Sequence, residues 1–379
     1  MQKIQDLCFQ VIPEHVPNFG EINSKEDLEI TLPGGFTGTT YIVKNIRQPV
    51  SEHNPVIFKE YDKSKRAGLE KEMKFVQILS EQGWGPKVYY VCDTFRIEQY
   101  LDARPMGIFE MRNPHYVEQI LIKLIEYNNN ADLQQALSSC TGVQKKSLLQ
   151  DFLETDYPIF QNKIQKLKAR EDSKLNKTEL QAVEQWVDQG IDKLLIKLLG
   201  SFESEKEMVV SHNDAQQGNV LVFNKDQAKV MIIDYEDTTF GPRYQDLGSY
   251  FGCFMKDNAH PEAPGIKFYP ENTITEQELR YYIDFYLGTY YDKLLIESAQ
   301  QSREDYIEAN KQQLYEDTVC GMLFFHYYYG VWAINYIRED EEDFDPQSFY
   351  TLGHMRTMMV NHMMSLDYVK EVVQKRLTQ

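Results

Sequence analysis

Residues 211–219 read SHNDAQQGN, and residues 230–237 read VMIIDYED. In the first stretch the carboxylate of Asp214 follows a short apolar run, and the amide of Asn219 comes five residues later on the same predicted loop. In the second stretch Asp234 ends an apolar strand, which is predicted to form a hairpin with the strand before it. The hairpin would bring these three polar side chains together.

The three side chains have the chemistry that phosphoryl transfer requires. That reaction needs a carboxylate to orient the attacking hydroxyl and oxygen ligands to hold magnesium against the phosphates. We therefore predict Asp214 as the catalytic base, and Asn219 and Asp234 as the magnesium ligands. Asn, Asp and Gly are also common in hairpin turns, and a turn is the favoured interpretation of any one such residue. A turn is not the favoured interpretation when all of these residues occur together at this spacing.

The rest of the chain divides into a strand-rich part and a helical part. Short β-type runs separated by turn residues extend from Asp27 to Tyr100, with one amphipathic helix at Ala67 to Gln82. Beyond them the chain is predicted to be mainly helical, and capping-box spacing predicts helix starts at Thr178 and Thr275. The predicted amphipathic helices lie near residues 116–128, 145–154, 178–199 and 275–295.

Composition limits the classes of partner and compartment. The formal net charge of −18 argues against binding to nucleic acid, and it is compatible with a cationic small substrate or with solubility alone. Five scattered cysteines without a CxxC pair indicate a reducing compartment. With no signal-peptide core and no long apolar run, we expect a cytoplasmic protein without stable membrane insertion. The oligomeric state is open, with a homodimer as one candidate.

Several segments together resemble the signature of one enzyme family. They read GPKVY at 85–89, RIEQYLDAR at 96–104, HNDAQQGNVL at 212–221, IDYED at 233–237 and DLG at 246–248. In this combination they resemble the choline/ethanolamine kinase family. The resemblance covers most of the chain and is weakest between the upstream segments and the HND loop.

The resemblance implies an α+β, two-lobed fold similar to eukaryotic protein kinases and aminoglycoside phosphotransferases. The length of 379 residues agrees with two lobes. We expect a small β-rich N-terminal lobe at residues 1–100, which binds the nucleotide. A larger, mainly helical C-terminal lobe at residues 101–379 would carry the catalytic loop, the metal site and the amino-alcohol pocket.

The resemblance also implies a set of ATP contacts. Lys59 stands where the family has a basic residue that reaches the phosphates, and Glu72 is its expected ion-pair partner. Glu70 is a rival partner, although it lies on a different helix face. The implied ATP-binding residues are Gly34, Gly35, Lys59, Glu72, Gln99 and Leu101, the last two through the backbone.

An aromatic run at residues 324–332, FFHYYYGVW, is similar to the pocket helix of that family. A quaternary ammonium group is recognised by aromatic faces through cation–π attraction and by nearby carboxylates. An aromatic stripe at helical spacing is also typical of an ordinary core. The implied substrate contacts are Asp214, Tyr329, Trp332, Phe349 and Tyr350, with Phe344 as a further contributor.

The chain departs from the family pattern at the residue that faces the substrate cation. Cys253 stands where the family usually has Glu, so a cation-pairing charge is missing, and Asp257 is a candidate substitute. The Leu-His pair expected after the interlobe helix is also absent near residues 126–129. These departures leave phosphotransfer intact and put the choice of alcohol in doubt.

The leading hypothesis is ATP- and Mg²⁺-dependent phosphorylation of choline and/or ethanolamine, the first step of phosphatidylcholine or phosphatidylethanolamine synthesis. One alternative is a phosphotransferase of the same fold that acts on an aminoglycoside-like or sugar-like alcohol. A second alternative is a non-catalytic binding module. A protein kinase is disfavoured, because no DFG triplet or APE segment follows the HND loop.

Overall fold

The structure is a computed structural model, and it describes residues 2–32, 40–61, 66–140, 146–170, 176–203, 208–262, 265–297, 300–337 and 347–378. The chain divides into two compact units. Unit 1 comprises Met1–Arg104, Ala131–Gln144 and Val222–Glu236, and unit 2 comprises Pro105–Asn130, Lys145–Leu221 and Asp237–Gln379.

The strands are short, and most of those in the first hundred residues lie where the alternating pattern predicts them. They are β1 (Leu28–Thr31), β2 (Thr40–Asn45), β3 (Val56–Glu60), β4 (Val88–Val91), β5 (Phe95–Gln99), β6 (Ala103–Pro105), β7 (Val209–Ser211), β8 (Val220–Phe223), β9 (Val230–Ile232), β10 (Thr239–Gly241), β11 (Lys256–Asp257) and β12 (Lys267–Phe268).

The helices lie in both units, and most of them belong to unit 2. They are α1 (Gln2–His15), α2 (Arg66–Glu81), α3 (Pro114–Asn128), α4 (Ala131–Ser139), α5 (Leu148–Asp151), α6 (Tyr157–Lys168), α7 (Lys177–Asp188), α8 (Ile191–Glu203), α9 (Tyr244–Gly252), α10 (Glu276–Tyr290), α11 (Arg303–Asn335), α12 (Gln347–Ser365) and α13 (Asp367–Thr378). π-helical turns at Phe152–Asp156 and Tyr291–Leu295 continue α5 and α10.

Unit 1 is built on an antiparallel five-stranded sheet in the order β1-β2-β3-β5-β4. One face of the sheet packs on α1, where Ile12, Phe58 and Ile97 are fully buried. The register pairs Lys59 on β3 with Arg96 on β5. Because facing residues on neighbouring strands point to the same side of a sheet, these two basic side chains lie on one surface.

Unit 2 is organised around the 33-residue helix α11, which packs against α9, α10 and α12. The closest approach is between α9 and α11, where a Cβ atom added to Gly248 would lie 2.4 Å from the carbonyl carbon of Gly321. Gly330 likewise leaves room for the ring of Trp186 on α7. Glycines at these positions therefore allow the backbone of α11 to approach its neighbours closely in the core.

Two helix predictions need correction and one is confirmed. The single helix predicted near residues 178–199 is two helices, because Gly190 takes a positive φ of 63° and interrupts it. The first of them is capped by Asn176, whose side chain accepts from the Glu179 amide, and not by Thr178. The capping box of Thr275 with Glu278 is confirmed at the start of α10.

Candidate active site

In the loop after β7, amide side chains of the same loop hydrogen-bond to the carboxylate of Asp214. Asn219 Nδ2 donates to Asp214 Oδ2 at 2.6 Å and to the Asp214 backbone carbonyl at 2.9 Å. Gln216 Nε2 donates to the same Oδ2 atom at 3.0 Å. Asp214 remains half-buried. Two side-chain amides therefore fix the orientation of a carboxylate that solvent still reaches.

Asp246, at the start of α9, fixes the backbone of this loop. Its Oδ2 accepts from the amide of His212 at 3.0 Å, and its Oδ1 accepts from the amide of Asn213 at 2.7 Å. Asn128 Nδ2 donates to Asp246 Oδ2 at 2.6 Å and to the carbonyl of Val210 at 2.7 Å. Asp246 is 1% exposed. Charge-assisted hydrogen bonds of this kind are stronger than neutral ones, and burial protects them from water.

Asn213 gives the loop its sharp turn. Its φ of 69° lies in the left-handed region, which Asn tolerates better than most residues. The side chain is buried and donates to the carbonyl of Asp237 at 2.7 Å and to Thr239 Oγ1 at 2.9 Å, and it accepts from Gln245 Nε2. These contacts hold the strained residue that directly precedes Asp214.

In unit 1, Lys59 lies among acidic side chains. Its Nζ atom is 3.0 Å from Asp234 Oδ1 and 3.3 Å from Glu72 Oε1, and Glu72 also pairs with Arg96. Burial acts to lower the pKa of the Lys59 ammonium group, but Asp234 and Glu72 outweigh it, so the net pKa is raised. Glu70 pairs instead with Lys74 at 2.8 Å. The structure thus brings Glu72, and not its rival, to Lys59.

Asp234 also belongs to an acidic group that can bind a cation. One carboxylate oxygen each of Glu72, Asp234 and Glu236 lies within 4.8 Å of the others. Asp234 has a φ of 69°, and its side chain is 33% exposed. Hard oxygen donors at this spacing suit Mg²⁺, so the residues present fit the metal that the resemblance implies. Glu236 was not among the residues predicted from the sequence, although the acidic letters of IDYED mark it.

The remaining predicted ATP contacts are backbone groups and glycines. Gln99 ends β5, and its amide donates to the carbonyl of Lys87 at 2.8 Å. The carbonyl of Leu101 accepts from the amide of Ala103 at 2.8 Å. Those two groups therefore serve the local structure of unit 1. Gly34, Gly35 and Phe344 lie outside the described residues.

The aromatic run on α11 divides between core and partly open positions. Phe324, Phe325 and Tyr327 are buried, whereas Tyr329 and Trp332 are half-buried. The Tyr329 hydroxyl donates to Asp237 Oδ2 at 3.4 Å. The core interpretation therefore holds for part of the run, and the half-buried rings remain candidates for the pocket.

The rings predicted on α12 are placed differently from each other. Phe349 stacks on Tyr336 with ring centroids 5.0 Å apart and lies 6.0 Å from the Trp332 ring. Trp332 in turn stacks on Tyr336 at 5.0 Å. Phe349 is 9% exposed and Tyr350 is 2% exposed, so both rings are buried. Phe349 packs against the half-buried rings of Trp332 and Tyr336, whereas Tyr350 lies inside the helical core.

Two buried basic residues lie near Cys253, and the sequence patterns did not reveal them. Arg356 Nη1 donates to His326 Nδ1 at 2.9 Å, and its guanidinium carbon lies 5.1 Å from the centre of the Tyr329 ring. Lys256 is also buried. Burial raises the pKa of the Cys253 thiol to about 11, although Lys256 and Arg356 act to lower it. Cys253 is therefore neutral near pH 7.

Asp257, the predicted substitute for the missing carboxylate, is engaged elsewhere. Its Oδ1 accepts from Gln217 Nε2 at 2.7 Å and from the amide of Ala259 at 2.9 Å. These bonds tie Asp257 to the catalytic loop. The sequence also did not predict the roles of Asn128 and Asp246. Asn128 lies in the segment that lacks the expected Leu-His pair. Asp246 belongs to the DLG motif, which matched the family pattern but did not indicate what the residue does.

Comparisons with known proteins point to one family. A family model described as choline/ethanolamine kinase matches residues 30–359. The choline/ethanolamine kinase of Homo sapiens is 25% identical over 266 residues, which cover 68% of this chain and 59% of that protein. Probable choline kinase 2 of Arabidopsis thaliana is 26% identical over 329 residues, 86% of this chain and 83% of that protein. The match thus spans about three fifths of the human relative.

A solved structure has a similar fold. The choline kinase of Cryptosporidium parvum Iowa II aligns over 99% of this chain and 96% of its own, with a TM-score of 0.70 and 18% identity. Among the helices in the described parts of the chain, none combines the length and apolar character that crossing a membrane requires.

The small antiparallel sheet with its lysine–glutamate pair, and the helical unit with its HND loop, define a two-lobed α+β protein with a protein-kinase-like fold. Within that class the family model matches well over half of the residues. The chain belongs to the choline/ethanolamine kinase family.

Proposed function

We propose that this chain is an ATP-dependent kinase that phosphorylates the hydroxyl group of choline and/or ethanolamine. The observation that carries the proposal is the Asp214 carboxylate, which two amides of its own loop orient while Asp246 fixes the loop backbone. Family membership supports the same conclusion. Phosphoryl transfer depends on such positioning more than on covalent chemistry by the protein.

Asp214 would accept the proton of the alcohol and orient its oxygen toward the γ-phosphate of ATP. The Asn219 and Gln216 side chains both donate to its Oδ2 atom. A hydroxyl group bound at this carboxylate would therefore meet a group that already has a fixed orientation. Pre-organisation of this kind removes part of the entropy cost of the reaction.

Lys59 would bind the ATP phosphates in unit 1, with Glu72 holding the ammonium group in place. Gln99 and Leu101 would contact the adenine through their remaining backbone groups, and Gly34 and Gly35 would cover the phosphates, as the resemblance implies. Raising the pKa of Lys59 keeps it charged at any physiological pH. A permanent positive charge is what an anionic phosphate chain requires.

Magnesium would be held by Asp234 and by Asn219, as the resemblance implies, with Glu236 as a further oxygen donor. When bound, the ion neutralises charge on the phosphates. Asn219 binds Asp214 through its Nδ2 atom, so its Oδ1 atom is the one suited to a metal.

For the alcohol, the half-buried rings of Tyr329 and Trp332 would face the cationic group, with the buried rings of Phe349 and Tyr350 supporting them. We also propose that the protein acts in phospholipid biosynthesis in the cytoplasm. The lobe boundaries at residues 1–100 and 101–379, and a homodimer, remain predictions.

The variant Asp214→Asn tests the function directly. Loss of the base should lower kcat with choline and ethanolamine by on the order of 10³, while ATP with Mg²⁺ still raises the melting temperature as it does for the original protein. An assay of ADP formation and a thermal-shift assay measure the two effects. Unchanged turnover would remove Asp214 from its role. If amino sugars but neither amino alcohol were phosphorylated, the proposed acceptor would be wrong, and the proposed phosphoryl transfer from ATP would stand.

A further inference from the structure

Lys256 is a buried lysine that the proposed reaction does not use. It begins β11, directly after the turn that contains Cys253, and it is 5% exposed. Among the described residues, no carboxylate forms an ion pair with its ammonium group. Buried charges without a partner are rare in proteins because they are costly, and they often mark functional positions.

The lysine is connected to the candidate base through one amide. Lys256 Nζ donates to Gln216 Oε1 at 3.3 Å, and Gln216 Nε2 donates to Asp214 Oδ2 at 3.0 Å. Asn258 Nδ2 donates to the same Gln216 Oε1 atom. Two hydrogen bonds and one amide group therefore separate the Lys256 ammonium from the carboxylate at which the alcohol would be activated.

The charged groups around Lys256 come from several elements. Arg356 on α12 and His326 on α11 face it from the helical core, and Asp214 faces it from the loop. Cys253 precedes it in the same segment, and on the paired strand β12 Lys267 lies opposite Asp257 and not opposite Lys256. Arg356 is thus the cation that opposes a charge on Lys256, and Asp214 is the carboxylate that favours it.

These surroundings bring the titration of Lys256 to neutral pH. Burial lowers the pKa of the ammonium group to about 7, and Arg356 acts in the same direction, whereas Cys253 and Asp214 act to raise it. Below this value Lys256 is charged, and above it the side chain is neutral. Burial also lowers the pKa of His326 well below its ordinary value, so the imidazole is neutral in the same range.

We propose that Lys256 is a specificity-determining residue whose protonation weakens the binding of a cationic alcohol at Asp214. This inference rests on the proposed function, because it requires a substrate whose positive charge is close to the hydroxyl group. Binding of the substrate cation and protonation of Lys256 then oppose each other, so the substrate binds more tightly as the pH rises and Lys256 loses its proton.

Two unit charges about 10 Å apart, at an effective dielectric constant near 20, change a dissociation constant by roughly tenfold. We therefore expect KM for choline and ethanolamine to fall roughly tenfold between about pH 6 and about pH 8. A neutral alcohol of the same shape, such as 3,3-dimethylbutanol, should show no such change. Arg356 stays charged throughout this range and does not contribute to the slope.

Steady-state kinetics at about pH 6 and about pH 8, with saturating ATP and Mg²⁺, test the inference in three variants. Lys256→Met removes the charge and should give a low KM for choline at both pH values. Lys256→Arg keeps the charge and should give a high KM at both. Lys267→Met is the matched control, because Lys267 is exposed and lies over the Tyr269 ring on the paired strand. It should keep the original pH dependence.

The outcomes separate this inference from the proposed function. Turnover of choline or ethanolamine with the same pH dependence of KM in Lys256→Met as in the original protein would overturn the inference alone. No turnover of either alcohol by the original protein would overturn both. If Lys256→Met fails to fold, as judged by circular dichroism, the Lys256→Arg variant decides, because a pH dependence that survives the fixed charge also contradicts the inference.

Discussion

Asp246 and Asn128 determine the geometry of the catalytic loop, although neither contacts the proposed substrate position. The carboxylate binds two consecutive backbone amides of the loop, and the Asn128 amide joins it to the strand before the loop. A carboxylate that satisfies backbone donors in a dry interior is costly to replace. The loop thus has its conformation before any ligand binds.

Cys253 and its neighbours are the residues that we expect to influence which alcohols the proposed pocket accepts. A neutral thiol replaces the carboxylate that the family resemblance leads one to expect, and Arg356 lies against the ring of Tyr329. The ring face covered by a guanidinium group cannot also receive a substrate cation. In the proposed pocket, selectivity among amino alcohols would therefore depend on Trp332, Phe349 and the uncovered part of Tyr329.

Glu72 and Glu70 provide a matched pair of variants on one helix. Glu72→Gln removes the charge that holds Lys59 and Arg96, whereas Glu70→Gln removes a charge that pairs with Lys74 on the surface. We expect Glu72→Gln to lower kcat/KM for ATP by on the order of 10², and Glu70→Gln to change it by less than about twofold. Kinetics at varied ATP concentration measure both. Equal effects of the two variants would argue that Glu72 does not position Lys59.

At the scale of elements, the contact between α9 and α11 connects the core to the site. Helix α9 carries Asp246 in its first turn and Gly248 where the two helices touch. The side chain of Ser249 donates to the carbonyl of Asn213 at 2.7 Å. A displacement of α9 would therefore move the loop that contains Asp214.

Gly248→Ala tests this contact. The added methyl group would overlap the backbone of Gly321, which cannot move as a flexible side chain can. We expect a loss of about 2 kcal/mol or more in the free energy of unfolding, together with lower kcat, although alanine favours helices. Urea denaturation and the kinase assay measure the two effects.

The matched control is Gly200→Ala on α8, where the new methyl group would meet only the Ile196 side chain at 3.4 Å. Its expected effect is neutral or a gain of up to about 1 kcal/mol, because glycine is a poor helix former. A similar loss of stability in both variants would show that the close approach of α9 and α11 is not the cause.

At the scale of the whole molecule, the chain does not divide at one point. Unit 1 contains the first 104 residues and two later segments, Ala131–Gln144 and Val222–Glu236. The first of these carries α4, which packs against α2, and the second carries Asp234. The charged cluster of unit 1 is therefore completed by Asp234, which follows Lys59 by 175 positions in the chain.

A fragment of residues 1–104 should consequently fail to fold cooperatively. Without α4 and Asp234 it leaves one face of α2 exposed and removes a carboxylate partner of the half-buried Lys59. Far-UV circular dichroism during urea titration should show a broad transition, whereas the full chain should show a cooperative one. A sharp transition for the fragment would instead support an autonomous N-terminal lobe near residues 1–100.

Much of the fold and part of the candidate site follow from neighbouring residues. Strand alternation, the helix at residues 66–81, and the cap at Thr275 depend on interactions within a few positions, so periodicity and spacing predict them. The spacing of Asp214 and Asn219 likewise belongs to one loop, and their hydrogen bond closes within it. Local signals failed at Gly190, where one residue with a positive φ divides a continuous amphipathic pattern.

Only the tertiary structure assigns Asn128 to Asp246, Arg356 to the ring of Tyr329, and Lys256 to Gln216. These pairs join segments separated by up to 118 positions, and no local pattern marks Asn128, Arg356 or Lys256 as a partner. Which side chains meet over such distances depends on how helices pack, and packing responds to the shape of many residues at once. The phosphoryl-transfer motif can thus be recognised in the sequence, whereas the packing of the folded core decides which charged side chains lie near Asp214.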